Sequence, residues 1–154
     1  MATALVDLYG GEPLPFDRLA LPKSYSPTER EEFMCAMHRA YFLRKLKAWK
    51  EAIVEESRAT MAQLQVDSMR EPDLADRASS ETDWSIELRT RDRQRKLIAK
   101  IDAAVRRLYD GEYGYCEVTG EPISLARLEA RPIATMTLEA QEKLERIERV
   151  SRDD

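Results

Sequence analysis

The sequence predicts a mainly α-helical fold built on a long antiparallel coiled-coil hairpin, and three observations support this prediction. Charged residues make up 35% of the chain and aromatic residues only 7%, a composition typical of long helices with much exposed surface. No proline or glycine occurs between residues 28 and 66, so nothing interrupts a helix there. Apolar residues recur at heptad spacing in two separate stretches, as they do in helices that pack along each other.

An N-terminal segment, residues 1–27, precedes the first long helix and is expected to pack on the globular part of the protein. Its prolines and its glycine pair exclude a long helix, so we predict turns and one short helix over 16–21. The sequence Ser26-Pro27-Thr28-Glu29 then indicates a helix start. Serine caps the helix, proline suits its first position and Glu29 completes a capping box.

The coiled-coil hairpin is predicted over residues 28–110. Its first helix, over 28–66, measures roughly 55–60 Å at ~1.5 Å per residue. A turn over 67–79 contains a proline, and a second helix over 80–109 follows. The apolar stripes of the two helices consist of Phe42, Leu46, Trp49 and Ile53, and of Leu97, Ile101, Val105 and Leu108. Because both stripes are narrow, we expect them to face each other in an antiparallel pair.

Residues 111–154 are predicted to form a small globular domain followed by a C-terminal helix. Glycines and prolines up to residue 134 indicate turns, and two short strands are predicted over 113–117 and 122–124. Apolar residues on one side of 137–151 predict the final helix.

The globular domain resembles a zinc finger in the spacing of its motifs, although most ligands are absent. A structural zinc site needs four thiolate or imidazole donors. The corresponding positions hold Cys116, Thr119, Thr137 and Ala140, and one thiolate does not close a tetrahedral site. We therefore expect a zinc-finger-like domain that contains no metal and a protein that needs no zinc. Threonine hydroxyls and apolar packing are expected to replace the ion.

Composition also excludes several functional classes. The net charge of −4 disfavours binding to nucleic acid by bulk electrostatics. No apolar stretch is long enough to cross a membrane, and the N-terminus lacks the basic start and apolar run of a signal peptide. The two cysteines, Cys35 and Cys116, lie far apart and are expected to be free thiols in a reducing compartment. We predict a cytoplasmic protein.

Residues for conventional catalysis are scarce. The one histidine, His38, lies within the first predicted helix. We interpret it as a polar residue on the flank of the coiled coil rather than as a catalytic base. Cys116 has no basic neighbour in the sequence that would activate its thiol, and we interpret it as a small buried side chain. The chain is therefore predicted not to be an enzyme.

Two charged features of the hairpin each allow two interpretations. Asp73 and Asp76 lie in the predicted turn, where they are either helix-capping acids or carboxylates that the hairpin delivers to a catalytic metal or basic element of a partner. On the second helix, Arg89 and Arg93 share one face with further basic residues up to Lys100. That face is either a solvated coiled-coil surface or a docking surface for acidic protein or an anionic ligand.

Five motifs, taken in their order and spacing, resemble the DksA/TraR family over residues 28–150. They are Asp73-Leu74-Ala75-Asp76-Arg77-Ala78, Glu87-Leu88-Arg89-Thr90-Arg91-Asp92-Arg93, Arg95-Lys96-Leu97-Ile98, Gly114-Tyr115-Cys116-Glu117 and Arg127-Leu128-Glu129-Ala130-Arg131-Pro132. The resemblance implies a bacterial transcription regulator that binds RNA polymerase rather than DNA, and we expect a monomer. It also implies that the coiled coil enters the polymerase secondary channel and that its tip approaches the active site.

The resemblance further implies joint action with the alarmone ppGpp. Family members shorten the lifetime of initiation complexes, which inhibits ribosomal RNA promoters and activates some biosynthetic promoters. The functional tip of the family corresponds to Asp73, Asp76 and Ala78, and Arg89 and Arg93 match basic residues that face the polymerase.

The resemblance places ppGpp contacts on three basic positions. Two of them correspond to Lys100 and Arg131, whereas the third, a lysine in the family, holds Gln141. One charge-assisted phosphate contact is therefore missing.

Two other functional classes remain as alternatives. A structural or adaptor coiled coil would use the tip acids only as caps and would leave polymerase activity unchanged. A nucleic-acid-binding finger is disfavoured by the acidic balance and by the missing zinc ligands.

Overall fold

Helices account for nearly all the regular structure of the described residues. The computed structural model describes residues 15–70 and 74–153, with the side chains at 67, 68, 70 and 74–80 excluded. A short 3-10 helix spans Phe16–Arg18, and the α-helices are α1, Ala36–Arg70, α2, Leu74–Asp110, α3, Leu125–Ala130, and α4, Leu138–Asp153. Across these ranges, no helix has the length and apolarity that a membrane span requires. The prediction of a mainly α fold is confirmed.

The chain divides into two compact units, and both long helices contribute to each. One unit comprises Met1–Lys45 together with Ala104–Asp154, and the other comprises Leu46–Ala103. The first unit therefore contains α3, α4 and the turn-rich segment, and the second contains the central parts of α1 and α2. The domain boundaries predicted after residues 27 and 110 remain a prediction.

The unit of residues 46–103 consists of two antiparallel helices. Lys50 Nζ on α1 lies 2.7 Å from Asp102 Oδ1 on α2. Further along, Val54 and Ile98 line the same groove. Residue numbers therefore increase along α1 while those of the facing residues decrease along α2, as in an antiparallel pair. Among the side chains described in this unit, the buried apolar ones are Leu46, Ile53 and Ile101. These belong to the predicted stripes, and the antiparallel hairpin is confirmed.

The core of the other unit joins the start of α1, the end of α2 and the turn-rich segment. The rings of Phe42 and Tyr113 pack with their centroids 5.5 Å apart. Arg107 fastens the segment to α2, because its guanidinium donates to the carbonyl oxygens of Glu112 and Tyr115. Other buried apolar residues here are Phe16, Ala40, Leu43, Ala104, Leu108, Cys116, Ile123, Leu128 and Ala134.

The first long helix begins at Ala36, and the start predicted at Ser26-Pro27-Thr28-Glu29 is wrong. A capping-box contact does form ahead of this helix, where Glu31 Oε1 accepts hydrogen bonds from the backbone N–H and hydroxyl of Thr28. The chain then leaves the helical path at Met34, whose φ is +53°. This left-handed conformation interrupts an α-helix, so continuous helix follows only after Met34.

Helical structure extends further toward the hairpin turn than the sequence indicated. The first helix continues to Arg70, and the second begins at Leu74 rather than at Ser80. The predicted start at Ser80 is wrong because no proline or glycine separates it from Leu74. Alanine and arginine, which are good helix formers, occupy several of the positions between them.

The turn-rich segment contains less strand and more helix than predicted. Within its described residues, the two predicted strands reduce to one isolated antiparallel bridge between Tyr115 and Pro122. The unpredicted α3 begins after Ser124, whose hydroxyl accepts a hydrogen bond from the backbone N–H of Arg127. The predicted C-terminal helix is confirmed as α4, which follows Thr137.

Candidate functional site

The three residues assigned to the hairpin tip lie at the edge of the described structure. Asp73 lies outside the described residues. Asp76 and Ala78 lie in the first two turns of α2, and their side chains are not described. The backbone therefore places Asp76 close to a helix N-terminus, where the helix dipole stabilises a carboxylate. The assignment of these residues to a functional tip stays a prediction.

Arg89 and Arg93 lie one turn apart on α2 and are both exposed. They line one shallow groove with Ile86, Leu88 and Asp92. Ile86 and Leu88 are 56% and 57% exposed, so this surface combines two guanidinium groups with two uncovered apolar side chains. We call it the basic-apolar surface.

Asp92, the carboxylate of the basic-apolar surface, forms ion pairs with residues other than Arg89 and Arg93. Asp92 contacts Lys96 at 3.1 Å and Arg95 at 2.6 Å. Hydrogen bonds from Lys96 and then from Arg95 hold the pKa of Asp92 below its usual value. Among the described residues, the structure records no ion pair of Arg89 or Arg93. Both guanidinium groups are thus available to a partner.

The two residues matched to ppGpp contacts belong to different units. Lys100 is exposed on α2, and Arg131 is exposed directly after α3, where its backbone N–H donates to the Arg127 carbonyl at 2.7 Å. Gln141, at the third position, donates from Nε2 to Glu145 Oε1 at 2.9 Å. Its side chain is neutral and already has an acceptor on its own helix.

The four positions of the former zinc site still form an ordered cluster of turns. The backbone N–H of Gly120 donates to the Cys116 carbonyl at 2.8 Å, and that of Cys116 donates to the Glu121 carbonyl at 2.8 Å. Cys116 and Thr137 are buried. The hydroxyl of Thr137 accepts a hydrogen bond from the backbone N–H of Ala140 at 3.3 Å. The positions are therefore held together by backbone and threonine contacts.

The Cys116 thiol lies where several donors converge on its sulfur. Burial acts to raise the pKa of this thiol. Hydrogen bonds from the Thr119 hydroxyl, then from the backbone N–H groups of Thr119, Thr137 and Val118, outweigh burial and lower the pKa to about 6. The interpretation of Cys116 as a plain buried side chain missed this arrangement. Backbone N–H groups supply the donors, and no residue type in the sequence marks them.

These four positions do not fit a structural zinc ion. Such an ion takes four donors, which are thiolate, imidazole or carboxylate groups. Here Cys116 supplies one thiolate, Thr119 and Thr137 supply neutral hydroxyls, and Ala140 supplies none.

A second cluster of donor atoms lies just before and within the first turn of α1. Donor atoms of Glu31, Cys35 and His38 all lie within 4.8 Å of one another. His38 is fully buried, and neither of its ring nitrogens has a hydrogen-bond partner among the described residues. The interpretation of His38 as a polar residue on the flank of the coiled coil is therefore wrong.

Glu31 is held in this cluster by neighbouring polar groups. Its Oε2 accepts a hydrogen bond from the Tyr25 hydroxyl at 2.7 Å, in addition to the two from Thr28. Burial acts to raise the pKa of the Glu31 carboxyl, but these hydrogen bonds and the nearby His38 lower it overall. Spacings of four and three residues would place all three side chains on one face of a continuous helix, but the helix begins only at Ala36, so the observed cluster depends on the turn at Met34 as well.

Comparisons with known proteins agree with the resemblance seen in the motifs. Residues 38–108 match the family model of the N-terminal domain of the DnaK suppressor protein DksA. Residues 111–146 match that of the prokaryotic dksA/traR C4-type zinc finger.

Sequence relatives cover most of the chain. The chain is 65% identical over 130 residues to a protein of Caulobacter vibrioides named RNA polymerase-binding transcription factor DksA, covering 84% of this chain and 92% of that protein. It is 39% identical over 117 residues to the Escherichia coli protein of the same name, covering 76% and 78%.

A solved structure shares both the sequence and the fold. Transcription factor DksA2 from Pseudomonas aeruginosa superposes with a TM-score of 0.70 at 38% identity, covering 76% of this chain and 90% of that one. With this fold, the two family models and relatives that match over most of their length, the chain belongs to the DksA/TraR family.

Proposed function

We propose that this protein binds RNA polymerase through the secondary channel and changes the stability of initiation complexes together with ppGpp. Ribosomal RNA promoters are inhibited and some biosynthetic promoters are activated. The observation that carries the proposal is the 65% identity to the Caulobacter protein named an RNA polymerase-binding transcription factor, which extends over 92% of that protein. Identity at this level over nearly the full length favours a shared partner as well as a shared fold.

The tip of the hairpin carries the regulatory step in this proposal. Asp73, Asp76 and Ala78 approach the polymerase active site, where carboxylates interact with the catalytic metal or with mobile basic elements around it. The antiparallel packing of α1 and α2 supports this role, because the two helices brace each other along the unit of residues 46–103.

The basic-apolar surface binds the polymerase in this proposal. Arg89 and Arg93 are exposed, and Ile86 and Leu88 beside them expose more than half of their surface. Protein interfaces are enriched in arginine and depleted in lysine, and their cores are apolar. A helix surface of this composition is therefore suited to binding an acidic surface of a partner protein.

The nucleotide ppGpp binds at the polymerase interface, with Lys100 and Arg131 contacting its phosphates. Both side chains are exposed, and a cation that hydrogen-bonds to phosphate gives one of the stronger polar contacts in proteins. Because the third position is Gln141, we expect weaker cooperation with ppGpp than in a relative that carries lysine there.

The remaining properties follow from the same proposal. The protein acts as a cytoplasmic monomer, has no catalytic activity of its own and does not bind specific DNA sequences. The zinc-finger-like domain works without zinc, because Cys116 supplies the one suitable donor among its four ligand positions. Its turns are stabilised by hydrogen bonds and apolar packing instead.

Transcription in vitro from a ribosomal RNA promoter tests this function. The purified protein is added to RNA polymerase with and without ppGpp, and the half-life of the initiation complex is measured. We expect the protein to shorten that half-life and ppGpp to strengthen the effect. The variant Asp76→Asn should retain its affinity for polymerase and lose this effect. An unchanged half-life with the unaltered protein would instead support the adaptor alternative.

Polymerase affinity tests the basic-apolar surface separately. Arg93→Ala should weaken binding about tenfold, which corresponds to ~1.4 kcal/mol. Arg152→Ala serves as the matched control, because Arg152 is exposed near the end of α4. Equal losses in the two variants would show that only net charge matters and would contradict the assigned surface.

A further inference from the structure

We infer that Glu31, Cys35 and His38 form a zinc-binding site, distinct from the zinc-finger-like domain that the family model matches over residues 111–146. The inference goes beyond the proposed function and does not rest on it. Its basis is a set of three different donor types that the fold brings together, one of which is a buried histidine without a hydrogen-bond partner among the described residues.

The distances suit a common ligand with little movement. Glu31 Oε1 lies 3.7 Å from His38 Nε2. Two such ligands of a tetrahedral zinc ion, each ~2.0 Å from the metal, are about 3.3 Å apart. The Cys35 sulfur completes a triangle whose sides do not exceed 4.8 Å. Small rotations of three side chains therefore bring all of the donors within bonding distance.

The local fold explains how the three residues meet. Cys35 immediately precedes α1, and His38 lies in the first turn of that helix. A separation of three residues places two side chains on the same face. The left-handed turn at Met34 then folds the preceding segment back, and this brings Glu31 to the same place.

The donor set favours zinc over magnesium or calcium. Thiolate and imidazole are preferred by zinc and related transition metals, whereas magnesium and calcium prefer oxygen ligands. A thiolate and a carboxylate together neutralise the two charges of the ion, which favours binding in a partly buried position. On binding, the Cys35 thiol releases its proton to solvent, and His38 binds as neutral imidazole.

Buried histidine nitrogens normally have partners. Most buried polar side-chain atoms in proteins are hydrogen-bonded, yet both nitrogens of His38 lack a partner among the described residues while the side chain is fully buried. A metal ion on Nε2 satisfies one of them. Cys35 and Glu31 are only partly buried, so the cluster is open on one side and a water molecule can take the fourth position.

The carboxylate is already oriented for this role. Tyr25 donates to its Oε2, and Thr28 donates twice to its Oε1. An ionised carboxylate has about four acceptor positions, and the free one lies on Oε2. Coordination through Oε1, the oxygen nearer to His38, exchanges one of its two Thr28 hydrogen bonds for the metal. Hydrogen bonds that orient a metal ligand in this way are a regular feature of zinc sites.

A simple ion pair between Glu31 and protonated His38 accounts for less of the cluster. The separation of 3.7 Å is too long for a hydrogen bond, and an ion pair leaves the nearby Cys35 without a role. A disulfide is also excluded, since Cys35 and Cys116 are both free.

The expectation that the zinc-finger-like domain lacks metal is unchanged. Only the expectation that the whole protein lacks zinc is revised.

Cobalt substitution in the full-length protein tests the site. The reduced protein is stripped with a chelator and titrated with Co²⁺, which reports thiolate ligation by a charge-transfer absorption band and tetrahedral geometry by its visible spectrum. We expect one Co²⁺ per chain, displacement by Zn²⁺ and no displacement by excess Mg²⁺. Absence of a thiolate band at one equivalent of Co²⁺ would overturn the inference.

Matched cysteine variants locate the metal. Cys35→Ser should abolish the thiolate band, whereas Cys116→Ser should leave it unchanged. The reverse result would place the metal at the family's zinc-finger positions and contradict the inference. His38→Gln should weaken Co²⁺ binding at least tenfold, with helix content checked by circular dichroism.

A measurement on the unaltered protein avoids any dependence on variant folding. Added Zn²⁺ should slow alkylation of Cys35 and leave the rate at Cys116 unchanged, as measured by peptide mass spectrometry. Equal rates at Cys35 with and without Zn²⁺ would also overturn the inference.

Discussion

The side chain of Met34 lies directly against Gly114. A Cβ atom placed on Gly114 would be 3.0 Å from both Cγ and Sδ of Met34. Gly114 has a φ of +88° and Met34 a φ of +53°, so two left-handed residues meet where the N-terminal segment crosses the turn-rich segment. This contact connects the late start of α1 to the packing of the zinc-finger-like domain.

Replacing Gly114 with alanine should therefore destabilise the protein. An L-residue in the left-handed region costs about 1–2 kcal/mol, and the added Cβ must also displace the Met34 side chain. We expect a loss of about 2–3 kcal/mol in the free energy of unfolding, measured by urea denaturation. Gly111→Ala is the matched control, because Gly111 has a φ of +80° with open space around its Cβ position. A loss at Gly114 no larger than that at Gly111 would show that the Met34 contact is unimportant.

The lowered pKa of Cys116 predicts a stability that depends on pH. Its pKa falls from 9.0 to about 6 in the folded protein, mainly through hydrogen bonds from Thr119 and nearby backbone N–H groups that outweigh burial. A group whose pKa is lower in the folded state stabilises that state when it is ionised. The contribution is full above pH 9 and is lost as the pH falls to 6.

Two measurements check the Cys116 prediction. In Cys35→Ser protein without metal, the ultraviolet absorbance of the remaining thiolate should titrate with a midpoint near 6. Thr119→Val should raise that midpoint, because the hydroxyl donor is removed. The free energy of unfolding should also be measured for the Cys35→Ser protein and for the Cys35→Ser/Cys116→Ser double variant. The difference between the two values should increase from pH 6 to pH 9. A midpoint near the ordinary thiol value would contradict the prediction.

Tyr113 should stabilise the fold through its hydroxyl group. This buried group donates to the Pro132 carbonyl at 2.7 Å, and Tyr113→Phe removes the bond while keeping the ring packed on Phe42. We expect a loss of about 1–2 kcal/mol in the free energy of unfolding. Tyr41→Phe is the control, since the Tyr41 hydroxyl bonds to Glu129 at an exposed position and should contribute less. Similar losses for both variants would argue against burial as the cause.

The hairpin was predictable from the sequence because its signal is local and repeated. Heptad spacing and the absence of helix breakers indicate two long helices, and their narrow stripes require a partner. The start of α1 was not predictable, because the left-handed turn at Met34 depends on its contact with Gly114 far along the chain.

The candidate sites were predictable to different extents. Family motifs identify Arg89 and Arg93, which the structure places one turn apart on an exposed surface. The cluster of Glu31, Cys35 and His38 was missed, since a buried position for His38 depends on packing between distant segments. The donors around Cys116 were missed for a related reason, because they are backbone groups.

Gln141→Lys should strengthen the cooperation with ppGpp. Under the proposed function, this position faces the nucleotide together with Lys100 and Arg131, and lysine restores the missing phosphate contact. A charge-assisted hydrogen bond contributes roughly 1.5 kcal/mol, so the ppGpp concentration for half-maximal inhibition of a ribosomal RNA promoter should fall about tenfold. Glu145, which now accepts from Gln141, accepts equally well from lysine, so stability should not change. Gln141→Met is the neutral control and should leave the ppGpp response unaltered. If both variants respond to ppGpp alike, residue 141 does not contact the nucleotide, and the assignment of this position is wrong.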